Sequence, residues 1–267
     1  AFALALALAP AAAACSRDRP PPDRPTRPTL AVGVDPAAPT AGRRVVARAQ
    51  IGQPWHTGAW APASITLSEV AAGDAIVALG GYWGDLPADA STAPSDDRGD
   101  LRAVVDQGPG MVGRRKPPVF TQLYLELDAA PGAHVIVPPW LGGPAGDGTL
   151  YVAQLRGLTA RRLVTSGQVW VKGDALPAIE VATEDVVQAG DLVIALAAYD
   201  NTEPTDHPAL SHPPRDWQPL GVQPDARNNV PSEACARVAE APGAVKVGWT
   251  WKDPKVNVAG AVIAALR

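Results

Sequence analysis

Two acidic stretches carry the candidate chemistry of this sequence, and each follows an apolar run that contains a tyrosine. The first stretch follows Tyr82 and supplies four candidate binding residues, which are Asp85, Asp96, Asp97 and Asp100. Carboxylate oxygens are the ligands that Ca²⁺ prefers, so Ca²⁺ is the one cofactor this stretch suggests. The spacing of the acids matches no calcium motif, and solvated loop acids are the alternative interpretation. We expect no required cofactor.

The second stretch follows Tyr199 and contains histidines. Asp206, His207 and His212 combine an oxygen ligand with imidazole nitrogens, the donor set of a zinc or copper site. Pro208, Pro213 and Pro214 exclude a helical histidine pair. These three residues are the metal-site candidates, with solvated loop residues again the alternative.

An aromatic pair is the candidate for carbohydrate binding. Trp55 and Trp60 flank His56 in QPWHTGAW, and exposed indole rings can stack on the apolar faces of sugars. The alternative is that both rings fill the core or the seam between two sheets.

No sequence motif indicates a catalytic residue. Gly108 to Gly113 has the spacing G-x-G-x-x-G, but Pro117 and Pro118 prevent the helix that a dinucleotide site requires. The chain contains no G-x-S-x-G, H-E-x-x-H or P-loop motif. Asp74 and Asp191 are the most enzyme-like acids, and each follows a glycine where a strand begins. We predict that both cap turns by binding backbone N–H groups.

The residues named above belong to a segment that is written twice. VAAGDAIVALGGYWGD at 70–85 resembles VQAGDLVIALAAYDN at 187–201. Further matching blocks follow in the same order in both copies. GDLRAVV matches RDWQPLG, and AAPGAHVIVPPW then matches EAPGAVKVGWTW. We interpret the chain as an internal duplication, with one β-sandwich repeat at 43–158 and a second at 159–267.

Each repeat reads as β-structure. Residues 119–127 alternate in hydrophobicity with a period of two, as a half-buried strand does. Residues 75–82 and 192–199 are continuous apolar runs, which indicates strands covered on both faces. Pro131-Gly132 and Pro242-Gly243 predict turns between strands. The predicted fold is all-β, with duplicated antiparallel sandwich or jelly-roll-like units, and whether each unit closes its own sandwich stays open.

The N-terminal region predicts export. Ala1 to Ala14 is apolar and uncharged, too short to cross a bilayer, and typical of a signal segment. Cys15 follows it as in a bacterial lipoprotein signal, so Cys15 is the candidate lipidation site; the alternative is cleavage after an Ala-x-Ala site. Residues 16–42 are rich in proline and predict an extended linker. We expect an extracytoplasmic protein, periplasmic or at the cell surface, that touches the membrane only through a lipid anchor.

Charge and cysteine content exclude two classes of protein. A formal net charge of -4 argues against nucleic-acid binding, which needs a basic face. Two cysteines, Cys15 and Cys235, are too few for a disulfide scaffold or a thiolate zinc site. Cys235 reads as a small buried apolar residue.

The succession AGDLVIALAAYDN, DWQPLG, APGAVKVGWTW and AGAVIAALR resembles uncharacterised exported bacterial β-sandwich proteins. The resemblance covers most of residues 60–267 and implies a fold and an extracytoplasmic location without any chemistry. We therefore expect a non-catalytic binding or structural module whose partner is a glycan or another envelope component. The alternative is a hydrolase that acts on an envelope or extracellular polysaccharide through its loop carboxylates.

Overall fold

A computed structural model describes residues 30–31, 44–53, 64–83, 93–106, 119–138, 147–173, 176–201, 216–222, 232–251 and 256–267. The described residues form strands and turns and contain no helix, which confirms the all-β class. It follows that no helix with the length and hydropathy of a membrane span occurs in this part of the chain.

The strands fall into two consecutive sets, here called unit 1 and unit 2. Unit 1 follows the short strand β1 (Leu30–Ala31) and comprises β2 (Arg44–Gln53), β3 (Ile65–Val70), β4 (Ala75–Trp83), β5 (Ser95–Asp96), β6 (Arg102–Asp106), β7 (Val119–Glu126), β8 (Gly132–Val137) and β9 (Asp147–Arg156). Unit 2 comprises β10 (Leu163–Lys172), β11 (Ala178–Ala182), β12 (Leu192–Asn201), β13 (Gln218–Val222), β14 (Ser232–Val238), β15 (Lys246–Thr250) and β16 (Val256–Leu266).

Each unit contains one large and one small antiparallel sheet. In unit 1 the large sheet has the order β2-β9-β4-β7-β6, with the preceding strand β1 added at its β2 edge, and the small sheet has the order β3-β8-β5. In unit 2 the large sheet has the order β10-β16-β12-β14-β13 and the small sheet pairs β11 with β15. The pairs β2–β9, β3–β8 and β4–β7 are nested, as in a long hairpin rolled into a jelly roll, and β10–β16, β11–β15 and β12–β14 are nested in the same way.

The two units agree in register as well as in strand order. The β2–β9 ladder shifts between Val45 and Ala47, and the β10–β16 ladder shifts between Leu163 and Thr165. The β6–β7 ladder shifts between Ala103 and Val105, and the β13–β14 ladder shifts between Pro219 and Gly221. Bulges bend a strand and fix its register, so these matched shifts give the two large sheets the same local irregularities.

The strands of the described chain stack in four layers around three large apolar cores and one small apolar cluster. The central core lies between the two large sheets and contains Leu79 and Tyr151 of unit 1 with Ile194 and Val262 of unit 2. The outer face of each large sheet is covered by the small sheet of its own unit. Each unit therefore closes its own sandwich, and the two sandwiches pack against each other through their large sheets.

This stacking explains the apolar runs of β4 and β12. Alternate side chains of these strands face the central core and the small sheet, so both faces are buried, as the sequence predicted. The strand predicted at 119–127 is present as β7, but the prediction that one of its faces is exposed was wrong. Gln122 and Tyr124 occupy the polar face of that pattern, yet both are buried because the small sheet covers that face.

The chain bends at Pro131 and at Pro242, between strands, where turns were predicted. Gly132 and Gly243 have φ of 122° and 152°, in the region that glycine adopts without strain. Trp251 is buried and its ring stacks on Tyr199 at a centroid distance of 5.0 Å, so this tryptophan packs in the core of unit 2.

Candidate functional site

Only part of the predicted site residues lies in the described chain. Asp85, Trp55, Trp60, Asp206, His207, His212 and Cys15 lie outside the described residues, as do the signal-like segment and most of the linker. The Ca²⁺, glycan and lipidation hypotheses that depend on these residues stay predictions. Asp96, Asp97 and Asp100 are described, and they do not form one site.

Asp74 and Asp191 close turns, as predicted. The backbone N–H of Ala71 donates to Asp74 Oδ2 at 3.0 Å, and the N–H of Gln188 donates to Asp191 Oδ2 at 2.8 Å. Gly73 and Gly190, which precede the two aspartates, have φ of 84° and 87° and permit these tight turns.

An arginine holds each of these aspartates from the closing strand of its unit, a contact the sequence did not predict. Arg156 donates through Nε to Asp74 Oδ1 at 2.8 Å and through Nη2 to Oδ2 at 2.7 Å. Burial raises the pKa of Asp74, but the hydrogen bonds from Arg156 and Gln154 outweigh it and hold the pKa below its usual value. Both aspartates thus serve the scaffold.

Asp96 meets two residues that were not predicted as partners. Its Oδ2 lies 2.8 Å from His134 Nδ1, and both side chains have no exposed surface. A Glu126 oxygen joins them, and the ligand-type atoms of Asp96, Glu126 and His134 all lie within 4.8 Å of one another. We call these three residues the D96 cluster. The interpretation of Asp96 as a solvated loop acid was wrong, because Asp96 pairs with β8 as an edge strand and its side chain is buried.

Three elements position the D96 cluster. Asp96 belongs to the two-residue strand β5, which pairs with Val137 and Ile136 of β8. His134 lies on β8 facing the apolar side of the sheet, and Glu126 is the final residue of β7. Asp97 fastens the same loop to β8: its Oδ1 accepts from Val135 N at 2.8 Å, and its own N–H donates to Val135 O at 3.2 Å. The loop is therefore an ordered strand edge at this point.

The orientation of His134 is fixed from its other side. His134 Nε2 lies 2.6 Å from the carbonyl oxygen of Ala130. A carbonyl only accepts, so Nε2 carries the proton and Nδ1 is the nitrogen that faces the carboxylates. Burial lowers the pKa of His134, but the hydrogen bonds to Ala130 and Asp96 and the nearby carboxylate charges outweigh it and raise that pKa.

The Glu126 carboxylate is confined. Its Oε2 atom is buried and has no hydrogen-bond partner within the described chain. Burial, and next the negative charge of Asp96, raise the pKa of Glu126. Gly99 makes room for this carboxylate, because a Cβ at Gly99 would lie 1.9 Å from Glu126 Oε2.

A cavity of about 460 Å³ adjoins the D96 cluster through Glu126. Its lining combines charged groups with apolar side chains, Asp100, Arg102, Val104, Leu125, Glu126, Leu127, Asp128 and Leu163. Asp100 is paired with Arg102 at 3.1 Å on the surface and takes no part in the D96 cluster. The cavity therefore gives solvent a route to a mostly buried group.

Unit 2 has different residues at the equivalent positions. His134 aligns with Val245 in the matching blocks AAPGAHVIV and EAPGAVKVG. Glu126 pairs with Ile76 on β4, and Arg237 pairs in the same way with Val193 on β12. Arg237 forms an ion pair with Asp216 and lies 5.3 Å from the Trp217 ring centroid. The same fold thus forms without the D96 cluster.

Sequence reasoning singled out neither Glu126 nor His134 as a site residue. Glu126 looked like one more outward position of an alternating strand, and nothing in its neighbours along the chain signalled a buried acid. The available signal was the difference between the two copies, since His134 stands where the other copy has an apolar valine.

The chain was compared with known proteins. No protein-family model, no curated protein and no solved structure matches it.

Proposed function

We propose that the protein is an exported cell-envelope component, a non-catalytic binding or structural module made of two fused β-sandwiches. The signal-like segment 1–15 and the proline-rich linker 16–42 support export and a tethered position. The matched strand orders and bulges support the origin of the two units by duplication.

The observation that carries this proposal is how the acids common to both units are used. Asp74 and Asp191 each accept two hydrogen bonds from an arginine and one from a turn N–H. An acid whose lone pairs are engaged in this way, and whose charge is neutralised by an arginine, is poorly suited to general acid or base catalysis. The repeated polar residues therefore favour a scaffold role.

A second candidate function rests on the cavity. Asp100, Glu126 and Asp128 line one depression together with Arg102, and paired carboxylates in a concave site are what glycoside cleavage requires. This arrangement keeps open a hydrolase that acts on an envelope or extracellular polysaccharide.

Expression in a bacterium followed by mass spectrometry of the mature protein tests export. We expect removal of the N-terminal segment and a lipid-modified Cys15. A mature chain that keeps residues 1–15 in the cytoplasmic fraction would refute the proposal.

Incubation with isolated envelope polysaccharide separates the two functions. A binding module retains the polymer without changing its size, whereas a hydrolase releases fragments. If the protein is a binding module, the Glu126→Gln and Asp100→Asn variants should still retain the uncleaved polymer. If the wild type releases fragments and either substitution abolishes that release, the protein is a hydrolase instead.

A further inference from the structure

The D96 cluster has the geometry of a metal site. We propose that Asp96, Glu126 and His134 bind one divalent transition-metal ion of the zinc class, with His134 Nδ1 and one oxygen from each carboxylate as ligands. The inference is independent of the proposed function, because it concerns only what these three side chains coordinate.

The histidine is set in the orientation that a metal ligand needs. Metal-bound histidines commonly donate their second N–H to a carbonyl or carboxylate, which fixes the tautomer and the ring plane. His134 does this through Nε2 to Ala130 O at 2.6 Å, and its Nδ1 faces Asp96 at 2.8 Å. Release of one proton from this contact leaves a nitrogen lone pair and a carboxylate facing the same point.

The glutamate supplies one oxygen atom, Oε2, that the described part of the protein leaves without a hydrogen bond. Glu126 Oε2 is buried without a hydrogen-bond partner, and an unsatisfied buried carboxylate oxygen carries a large desolvation cost. Asp96 brings a second carboxylate within 4.8 Å of it, which adds charge repulsion. A cation between the two carboxylates removes both costs.

The available space fits an ion of this size. Zinc bonds of about 2.0–2.2 Å in a tetrahedral site place ligand atoms roughly 3.3 Å apart. The three donor atoms lie within 4.8 Å of one another, so small side-chain movements reach that separation. Gly99 keeps the space open on the glutamate side, because any Cβ there would overlap the carboxylate.

The donor set selects the class of ion. One imidazole and two carboxylates suit Zn²⁺ and its first-row neighbours, whereas Ca²⁺ takes six to eight oxygen ligands. Three protein ligands also leave a fourth position for water or another group. Glu126 lines the adjoining cavity, which gives the ion and a fourth ligand a route from solvent.

Comparison with unit 2 indicates that these residues are not required for folding. At the equivalent positions it has Val245 and Arg237, and its strands pair in the same order. A histidine and a buried acid in one unit only are therefore an addition to the shared scaffold.

The test is a titration of the metal-free full chain with Zn²⁺, followed by calorimetry, and with Co²⁺, followed by visible absorption. We expect one ion per chain, a raised melting temperature and cobalt bands of a low-coordinate nitrogen–oxygen site. Glu126→Gln and His134→Val should each weaken Zn²⁺ binding by about tenfold or more. His134→Val copies the residue of unit 2, and Glu126→Gln keeps the side-chain shape, so at least one variant should fold.

Two control variants locate the ion. Asp97→Asn removes a neighbouring charge but keeps the Oδ1 acceptor for Val135 N, so it should leave the position of the loop and the affinity for Zn²⁺ unchanged. A His207→Ala/His212→Ala double variant tests the histidines of the second acidic stretch and should also retain the ion. The proposal is overturned if the wild type does not bind Zn²⁺, or if both cluster variants bind Zn²⁺ as tightly as the wild type. It is also overturned if the histidine double variant loses the ion, or if the wild type binds Ca²⁺ more tightly than Zn²⁺.

Discussion

Asp191 and Arg267 are joined by two parallel hydrogen bonds, each 2.8 Å long, and Asp74 and Arg156 form the same pair in the other unit. Each aspartate directly precedes an interior strand of a large sheet, β4 or β12, whereas Arg156 ends the neighbouring strand β9 and Arg267 directly follows the neighbouring strand β16. The pair therefore locks the start of one strand to the end of the next, on top of the ladder hydrogen bonds.

Replacing Asp74 by Asn should lower the free energy of unfolding by about 2 kcal/mol, because hydrogen bonds to a charged group contribute roughly 1.5–3 kcal/mol. Urea denaturation measures the change. The matched control is Asp128→Asn, which removes an exposed ion pair with Arg161 and should cost under about 1 kcal/mol. Equal effects of the two substitutions would contradict the structural role of Asp74.

The same variant should alter the response to acid. The pKa of Asp74 is lowered in the folded state, so its stabilisation is present above the ordinary carboxyl pKa and is lost as pH falls through the folded value. Asp74→Asn should therefore lose least, relative to wild type, at the lowest pH at which both proteins fold. A stability difference that stays constant with pH would refute this.

Glu233 should make the protein less stable as pH rises. It is buried between the large and small sheets of unit 2, and burial raises its pKa to about 8. The folded state then holds a proton that the unfolded chain releases near its ordinary value of 4.5, so stability falls between about pH 4.5 and 8. Glu233→Gln should stabilise the protein at pH 8 and change little at pH 5.

Unit 1 already has a glutamine, Gln122, at the position equivalent to Glu233. Gln122 pairs with Gly80 and Glu233 with Ala197, at equivalent positions of the two ladders. Melting temperatures of wild type and variant at pH 5, 6.5 and 8 give the comparison. The prediction fails if the two curves run parallel.

Cys235 should not react with thiol reagents in the native protein. It is fully buried, and burial followed by the charges of Glu233 and Asp216 raises its pKa far above that of a free thiol. Ellman's reagent should modify Cys235 only after denaturation. Rapid modification of the folded Cys15→Ser variant, in which Cys235 is the only thiol, would show that the thiol is accessible.

Neither unit should fold as a monomer when expressed alone. The central core lies between the two large sheets, so residues 43–158 or 159–267 in isolation would expose a sheet of apolar side chains. Each half should self-associate or aggregate, and the co-expressed halves should form a complex of the mass of the whole chain.

A cut chain provides the control for that experiment. A protease site inserted between Thr159 and Ala160, which are both exposed, should be cleaved without separation of the two halves. Analytical ultracentrifugation measures both results. A monomeric, cooperatively folded half would show that the central core is dispensable.

Short-range patterns predicted much of the fold. The sequence predicted the Gly-Asp turns before β4 and β12, the apolar runs that follow them, and a change of chain direction at each Pro-Gly pair. Each of these features depends on a few neighbouring residues. The all-β class followed from them. The duplication stays a hypothesis, although the matched bulges at 45–47 and 163–165 are what it would produce.

Contacts between distant segments could not be predicted. His134 and Asp96 are 38 residues apart, and Arg156 and Asp74 are 82 apart. Periodicity shows that a side chain alternates between faces but does not show what covers each face. For that reason the alternation of β7 predicted that Gln122 and Glu126 are exposed, although the small sheet of unit 1 lies over that face of the strand.

Gly81 has a further consequence for the contact between the two large sheets. A Cβ on Gly81 would lie 2.8 Å from Cβ of Ala198, which is the residue at the equivalent position of unit 2. The two large sheets therefore bring corresponding residues of the two units together at this point of their contact. A methyl group fits on one side only, so this contact accommodates a glycine opposite an alanine but not two alanines, and a change of Gly81 to alanine would require the two large sheets to move apart.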